Sequence, residues 1–282
     1  MIYSIKNEQL SVKIDEHGAE LVSVCFRGKE QLWQNPTGDW AGHSPVLFPV
    51  CGNCTIVIDG ITYPLVKHGF ACGCDFETIE KGDTFVKMRL RSNEKTLLLY
   101  PYEFELSYTY SVNGNALEIV HELHNLSDKT MYFSMGGHES FNLDEDIDSY
   151  ELRFSEEERF IHCPHDLEGM LTGESVLLGA GKVLALPTDI LQNSVTVILT
   201  GVRSNRVDLH KKTGEKLAEV YFDGFDNLLL WRPMNAKMIC IEPWKTLPDT
   251  VGKQYVEFSQ KKGVEAVEGK QTFTTKRKIC YY

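Results

Sequence analysis

Apolar and polar residues alternate along much of this 282-residue chain, and this alternation constrains its fold more than any other feature. One segment places three apolar side chains between three basic ones: Val86, Met88 and Leu90 against Lys87, Arg89 and Arg91. A period of two puts successive side chains on opposite faces of a β-strand. We therefore expect many strands that have one apolar face and one solvated face.

Two dipeptides predict tight turns between such strands. Asp59-Gly60 lies at the centre of residues 55–65, which read as two short strands. Asn113-Gly114 lies between the alternating segments 105–112 and 116–124. Asp-Gly and Asn-Gly supply the positive φ angles that two-residue hairpin turns require, so we expect a β-hairpin at each position.

Helix signals are scarce by comparison. Residues 93–100 favour one or two helical turns before Pro101, whereas residues 216–222 and 228–231 read as further short strands. Turn signals recur roughly every 8–12 residues, which is typical of a sandwich or barrel of antiparallel strands. Since the sequence has no linker, composition shift or internal repeat, we expect one β domain over residues 1–282.

The charge balance and the N-terminus exclude several classes of protein. The chain has 40 acidic and 29 basic residues, a net charge of −11, which disfavours binding to nucleic acid or to an anionic membrane. The N-terminus has no signal-peptide pattern, and no window approaches about 18 uninterrupted apolar residues. We expect a cytoplasmic protein whose eight cysteines are mostly reduced thiols.

Cysteines and histidines also leave two metal-site alternatives open. Cys51-x-x-Cys54 and Cys72-x-Cys74 could supply four zinc ligands, although the second pair has one intervening residue rather than two. The cluster His162-Cys163-Pro-His165-Asp166 is a weaker candidate. Buried free thiols are the favoured interpretation, so we predict no metal.

The segment 133–142, Phe-Ser-Met-Gly-Gly-His-Glu-Ser-Phe-Asn, is the first candidate for chemistry. Two glycines allow the backbone to bend or a ligand to approach closely, and His138 follows them directly. Histidine suits proton transfer near neutral pH because its ordinary pKa is about 6.5. A histidine held by core hydrogen bonds is the alternative.

The segment 240–249 is the second candidate. Glu242 lies between the apolar run 238–241 and Pro243-Trp244, where partial desolvation would raise its pKa and make it a better base. The alternative is a rim glutamate beside a structural Pro-Trp turn. His68, in Lys-His-Gly-Phe-Ala just after the first predicted hairpin, is a weaker candidate, because an exposed turn histidine is the favoured interpretation of a lone His-Gly.

Taken together, these segments resemble the aldose 1-epimerase (galactose mutarotase) family, particularly its LacX-like branch. The Gly-His-x-x-Phe-Asn and Ile-Glu-Pro-Trp motifs are the most specific. The matching segments follow the family order over nearly the whole chain: 18–21, 45–49, 68–70, 137–142, 169–173 and 240–244.

The resemblance implies a large antiparallel β-sandwich of the supersandwich type, with few short helices and an open cleft over one sheet. It also implies interconversion of the α and β anomers of a free sugar, without a cofactor. By match, Glu242 would take the proton from the C1 hydroxyl and His138 would protonate the ring oxygen. One acid and one base are what this ring opening requires.

The resemblance further implies that His68, Asn53, Trp244 and Phe141 bind the sugar. Asn53 stands near the position where the family often has an arginine, so a charged contact to a hydroxyl would be lost. The family's late acidic residue has no clear counterpart, and Asn193 or Ser194 lies there instead. A catalytically weak carbohydrate-binding or sensing protein on the same fold is therefore the alternative, and the identity of the sugar and the oligomeric state stay open.

Overall fold

The computed structural model describes residues 1–234 and 236–282, and β-strands dominate it, as predicted. Within these described residues the two α-helices are short: α1 (Glu94–Leu99) and α2 (Thr188–Leu191). No helix in the described part of the chain is long and apolar enough to cross a membrane. Three single turns of 3₁₀ helix lie at Ala71–Gly73, Ile147–Ser149 and Phe258–Gln260.

One large antiparallel sheet forms the body of the molecule. Its strands follow this spatial order: β12 (Glu139–Asn142), β19 (Met238–Trp244), β18 (Asn227–Trp231), β15 (Val197–Thr200), β13 (Tyr150–His162), β16 (Arg206–Lys211), β17 (Lys216–Tyr221), β21 (Thr272–Tyr281), β10 (Ala116–Asn125), β9 (Phe104–Asn113), β8 (Phe85–Arg91) and β7 (Glu77–Lys81). A further strand, β14 (Val176–Ala185), pairs with β13.

Three smaller antiparallel sheets complete the fold. The first has four strands: β1 (Ile2–Lys6), β2 (Leu10–Asp15), β3 (Leu21–Phe26) and β4 (Lys29–Glu30). The others are two-stranded: β5 (Ile56–Ile58) with β6 (Ile61–Tyr63), and β11 (Met131–Phe133) with β20 (Glu265–Val267).

Both predicted hairpins form, but one turn is shifted by a residue. Asp59-Gly60 joins β5 to β6, as predicted. In the second hairpin Asn113 pairs with Ala116, so the two turn residues are Gly114 and Asn115. Of these two, only Gly114 has a positive φ, of 57°, which is the pattern of a type II′ turn with glycine first. Asn113 therefore belongs to β9 rather than to the turn.

The predicted alternation and the predicted helix are confirmed at residue level. Val86, Met88 and Leu90 are buried on one face of β8. Helix α1 begins after Asn93, whose side chain accepts hydrogen bonds from the first backbone N–H groups, while the Thr96 hydroxyl accepts one from the Asn93 N–H. This capping box explains why so short a segment is helical.

The large sheet folds back over its own core. Phe141 in β12 and Tyr281 in β21 have ring centroids 6.5 Å apart, although six strands lie between β12 and β21 in the sheet order. The largest buried apolar cluster accordingly includes residues from Ile5 to Tyr281. The β-sandwich class is confirmed, whereas the division of the chain into a single domain stays a prediction.

A buried ion pair crosses between these two parts of the sheet. Nη1 of Arg277, in β21, lies 2.5 Å from both carboxylate oxygens of Glu139, in β12, and both residues are buried. The Ser44 hydroxyl donates a further hydrogen bond of 3.2 Å to Glu139, and Arg277 Nε donates one of 3.3 Å to His121. The layers are thus joined by a pair whose charges are both hydrogen-bonded.

Breaking this pair is expected to destabilise the fold strongly. Arg277→Met leaves the Glu139 carboxylate buried without its cation, so we expect urea denaturation to show a loss of about 3–5 kcal/mol in unfolding free energy. Adding Glu139→Leu should recover much of that loss, because an apolar pair needs no charge compensation.

Lys276 provides the matched control on the same strand. Its exposed ammonium lies 3.6 Å from Glu118, and Lys276→Met should cost no more than about 1 kcal/mol. Equal losses for the two single variants would contradict a special role for the buried pair.

Candidate active site

Strand pairing brings the two most specific sequence motifs together. Glu139 pairs with Ile241 in the β12–β19 ladder, so the antiparallel register places His138 beside Glu242. The two side chains meet, with His138 Nε2 3.3 Å from Glu242 Oε1. Two residues far apart in the chain therefore form one imidazole–carboxyl pair.

The face of the sheet that carries Glu242 is the floor of a cleft. Glu242 pairs with Leu229 in β18, and Leu229 pairs in turn with Ile198 in β15. Directly opposed residues share a sheet face, so these three side chains lie side by side. All three line a cleft of about 350 Å³.

Loops supply most of the cleft walls. The other lining residues are Trp40, Gly52, Lys67, His68, His138, His165, Gly169, Thr196, Trp231 and Pro248. The Trp40 ring lies 5.2 Å from the ring of His138 and 5.4 Å from that of Trp231, which makes one wall aromatic. Sequence reasoning missed Trp40, because nothing in its neighbourhood distinguishes it from any other loop tryptophan.

Glu242 is more deeply buried than its sequence context indicated. Strand β19 runs through Trp244 and Glu242 is only 2% exposed, so the alternative of a rim glutamate beside a Pro-Trp turn is wrong. The Trp244 indole N–H donates a 3.2 Å hydrogen bond to Oε2, and Oε1 has no hydrogen-bond partner. Burial raises the pKa of Glu242 to about 8, against the opposing effect of the Trp244 hydrogen bond.

Burial shifts His138 in the opposite sense. Its side chain is 10% exposed and its Nδ1 has no hydrogen-bond partner, so burial lowers the pKa of His138 to about 4. Desolvation disfavours the charged form of each group. The pKa of His138 therefore falls below that of Glu242, which reverses the ordinary order of the two residue types. Between these values His138 and Glu242 together hold one exchangeable proton, and hence one acid and one base.

His68 lines the same cleft as this pair. Its Nδ1 accepts a 3.0 Å hydrogen bond from the Gly52 N–H, so the neutral ring carries its proton on Nε2 and can donate it. Burial, with a smaller contribution from His138, lowers the pKa of His68 well below its ordinary value. The His68 ring stacks on that of Trp244 at 5.3 Å and lies 5.7 Å from that of His138.

Trp244 and Phe141, two predicted sugar contacts, lie behind the site instead. Trp244 is fully buried, and it contacts Glu242 and His68 rather than the open cleft. Phe141 belongs to the main apolar core and faces Tyr281. Neither side chain lines the cleft, so their geometry does not support direct sugar binding; it supports a positioning role for Trp244.

Asn53 and Ser194 support the walls of the cleft. The Asn53 amide donates a hydrogen bond to the Glu168 carbonyl, at the loop that brings Gly169 to the cleft. The Ser194 carbonyl accepts a 3.1 Å hydrogen bond from the Trp231 indole. Sugar binding by Asn53 stays a prediction. In the structure its side-chain amide is bonded to Glu168.

The two predicted metal alternatives are not assembled as ligand sets. In residues 1–234 and 236–282, one set of three His, Cys, Asp or Glu side chains has its ligand atoms within 4.8 Å of one another, namely His138, Cys240 and Glu242. His162 and His165 instead each accept a hydrogen bond from a backbone N–H, of Ile198 and Thr196.

Comparison with known proteins agrees with this geometry. Residues 1–255 match the family model described as aldose 1-epimerase. The protein LacX of Lactococcus lactis subsp. lactis is 31% identical over 267 residues, which cover 88% of each chain.

Two solved structures are similar over the whole chain. A galactose mutarotase related enzyme from Lactobacillus acidophilus is 28% identical with a TM-score of 0.91, over 100% of this chain and 97% of that one. A galactose mutarotase-like protein from Lactobacillus casei ATCC 334 is 25% identical with a TM-score of 0.92, over 100% of both chains.

The raised pKa of Glu242 predicts a specific pH dependence of stability. Between the ordinary carboxyl pKa and about 8, the native state holds a proton on Glu242 that the unfolded state has lost. Stability contributed by this group therefore falls as pH rises through that range. Relative to wild type, Glu242→Gln should gain at least about 1 kcal/mol in unfolding free energy between pH 5 and pH 8, since one pKa unit corresponds to about 1.4 kcal/mol.

Urea denaturation at several pH values measures this difference. Glu168→Gln makes the same chemical change at an exposed position, and its curve should follow that of wild type. Parallel curves for Glu242→Gln and wild type would show that the Glu242 carboxyl is not destabilised by burial.

Proposed function

The chain belongs to the aldose 1-epimerase family, and on that premise we propose that it interconverts the α and β anomers of a free sugar. The observation that carries the proposal is the contact of 3.3 Å between His138 Nε2 and Glu242 Oε1 at the floor of an open cleft. The opposite pKa shifts of the two groups support it further, because the pair then holds one transferable proton between pH values of about 4 and about 8.

The reaction suits two groups that are close together. Anomer interconversion breaks the bond between C1 and the ring oxygen, and it moves protons on two oxygens that are both bonded to C1. An acid and a base that serve these neighbouring oxygens must themselves be neighbours. The reaction involves no net oxidation or reduction, so positioned proton donors and acceptors are sufficient for it.

In the proposed steps one proton moves between the sugar and Glu242, and one moves between the sugar and His138. The reaction starts from the tautomer of the pair that has its one proton on His138 Nε2 and leaves Glu242 as the carboxylate. The unpartnered Oε1 of Glu242 then accepts the proton of the C1 hydroxyl, while His138 donates the Nε2 proton to the ring oxygen. The C1–ring oxygen bond breaks and the C1 carbonyl forms. After rotation about the C1–C2 bond, the ring oxygen attacks the other face of the carbonyl. His138 then recovers its proton from the ring oxygen, and Glu242 returns its proton to O1.

The cleft walls supply contacts for a sugar. Trp40 and Trp231 offer apolar faces for C–H groups, and the Nε2 proton of His68 is available to a hydroxyl or to the ring oxygen. Trp244 holds Oε2 of Glu242 and thereby leaves Oε1 as the reacting oxygen. The exposed Lys67 is the one cation among the lining residues, which favours a neutral or weakly charged sugar.

Removing either proton-transfer group should abolish most of the activity. We expect Glu242→Gln and His138→Asn each to reduce the mutarotation rate by at least about 100-fold, the usual contribution of a positioned acid or base. The rate is followed by polarimetry on freshly dissolved free aldoses, with the corresponding sugar phosphates as a second panel.

Two exposed residues provide matched controls. Glu8→Gln and His17→Asn make the same chemical changes outside the cleft, and both should keep the wild-type rate. Wild-type rates in the Glu242 and His138 variants would overturn the assignment. Tight sugar binding by calorimetry without rate acceleration in the wild-type protein would instead favour the carbohydrate-binding or sensing alternative.

The pKa shifts also predict the pH profile of the reaction. The pair holds its single proton between pH values of about 4 and about 8. After subtraction of the spontaneous reaction, kcat/KM should therefore rise near pH 4, stay level, and fall near pH 8. A catalysed rate that keeps rising above pH 8 would contradict the one-proton pair as the active form.

A further inference from the structure

Cys240 is a buried thiol beside the active-site pair that the proposed reaction does not use. It precedes Glu242 by two residues in β19, so both side chains lie on the same face of that strand. It pairs with Ser140 on one side and with Trp231 on the other. Cys240 is fully buried and has the free thiol of an unpaired cysteine.

The thiol completes a three-ligand cluster. His138 Nε2 or Nδ1, Cys240 Sγ and a Glu242 carboxylate oxygen all lie within 4.8 Å of one another. His138 Nε2 and Glu242 Oε1 are 3.3 Å apart. Two ligands on one tetrahedral ion, with bonds of about 2.1 Å, are about 3.4 Å apart, so these two atoms already have the required separation.

The cluster has the remaining features of a site for a borderline-soft divalent ion. Imidazole, thiolate and carboxylate are the three ligand types that zinc takes from proteins. Oε1 of Glu242 is buried and has no hydrogen-bond partner, so it has a lone pair available for an ion. His138 and Glu242 both line the cleft, so a water molecule can fill a fourth position from that side.

We propose that His138, Cys240 and Glu242 bind one Zn²⁺ ion, and that this ion competes with the sugar for the active site. On binding, the thiol and the carboxyl release their protons to solvent, and the ion takes the lone pairs of Nε2 and Oε1. Those lone pairs are the ones that transfer protons in the proposed reaction. Zinc is therefore an inhibitor of this site; the inhibition, though not the binding, rests on the proposed function.

Metal binding is tested with Co²⁺ and Zn²⁺ alone on the purified full chain. Wild type should bind one Zn²⁺ per chain by calorimetry, and with Co²⁺ it should show a thiolate-to-metal charge-transfer band. Cys240→Ser and Cys240→Ala should both lose the band and bind Zn²⁺ at least about 10–100-fold more weakly. This range is seen even when the substituted residue only orients a metal ligand. Near-ultraviolet circular dichroism identifies which of the two variants keeps the native fold.

Cys163→Ser is the matched control, because Cys163 is a partly buried thiol outside the cluster. It should keep both the Co²⁺ band and the Zn²⁺ affinity. A folded Cys240 variant that retains the band and the affinity of wild type would overturn the proposed ligand set.

Competition is tested separately by polarimetry. Zn²⁺ should inhibit wild-type mutarotation reversibly, with recovery on adding a chelator, and the folded Cys240 variant should need at least about 10-fold more Zn²⁺ for the same inhibition. Binding through Cys240 without any inhibition would overturn the competition. If wild type had no mutarotase activity, the proposed function would fail, while the Co²⁺ spectra would still decide whether the metal site exists.

Discussion

The buried ion pair between Arg277 and Glu139 is the contact on which the rest of the structure depends. It joins strands that are separated by six others in the sheet, at a point where neither charge reaches solvent. Burial of charge is costly unless both partners are well hydrogen-bonded, and Ser44 helps to meet that condition. Gly137 must lack a side chain, because a Cβ there would lie 1.9 Å from Nη1 of Arg277. The Arg277 guanidinium thus binds the residue on one side of His138 and leaves space only for glycine on the other.

Strand alternation then separates a carboxylate paired in the interior, Glu139, from one that lines the cleft, Glu242. Glu139 points to Arg277, whereas the preceding residue, His138, points to the cleft and meets Glu242. Glu139 has a cationic partner in the interior. Glu242 has a neutral indole N–H and a histidine whose pKa is itself lowered by burial. The same burial that stabilises the sandwich therefore leaves one carboxyl with a pKa of about 8, suited to exchanging a proton.

Much of the local structure could be predicted from the sequence, which also singled out two residues that the fold brings into contact, His138 and Glu242. The hairpins, helix α1 and the pairing of roles between His138 and Glu242 all rest on short segments whose residues interact with near neighbours or match a family motif. The positions of Trp244 and Phe141 were harder to predict. A tryptophan or phenylalanine beside a candidate site residue can either contact the sugar or pack in the core. Only the direction in which each side chain points separates these two roles, and the structure shows both behind the cleft.

The sequence by itself determined that this protein is built from antiparallel strands, and it singled out one glutamate and one histidine as the candidate proton-transfer residues. The reason is that strand periodicity, turn residues and family motifs can each be recognised in a segment of about ten residues. The tertiary structure alone decided that Glu139 pairs with Ile241, that Trp40 lies in the cleft beside His138, and that Cys240 lies next to His138 and Glu242. These contacts depend on which distant strands become neighbours, and no local pattern specifies that choice.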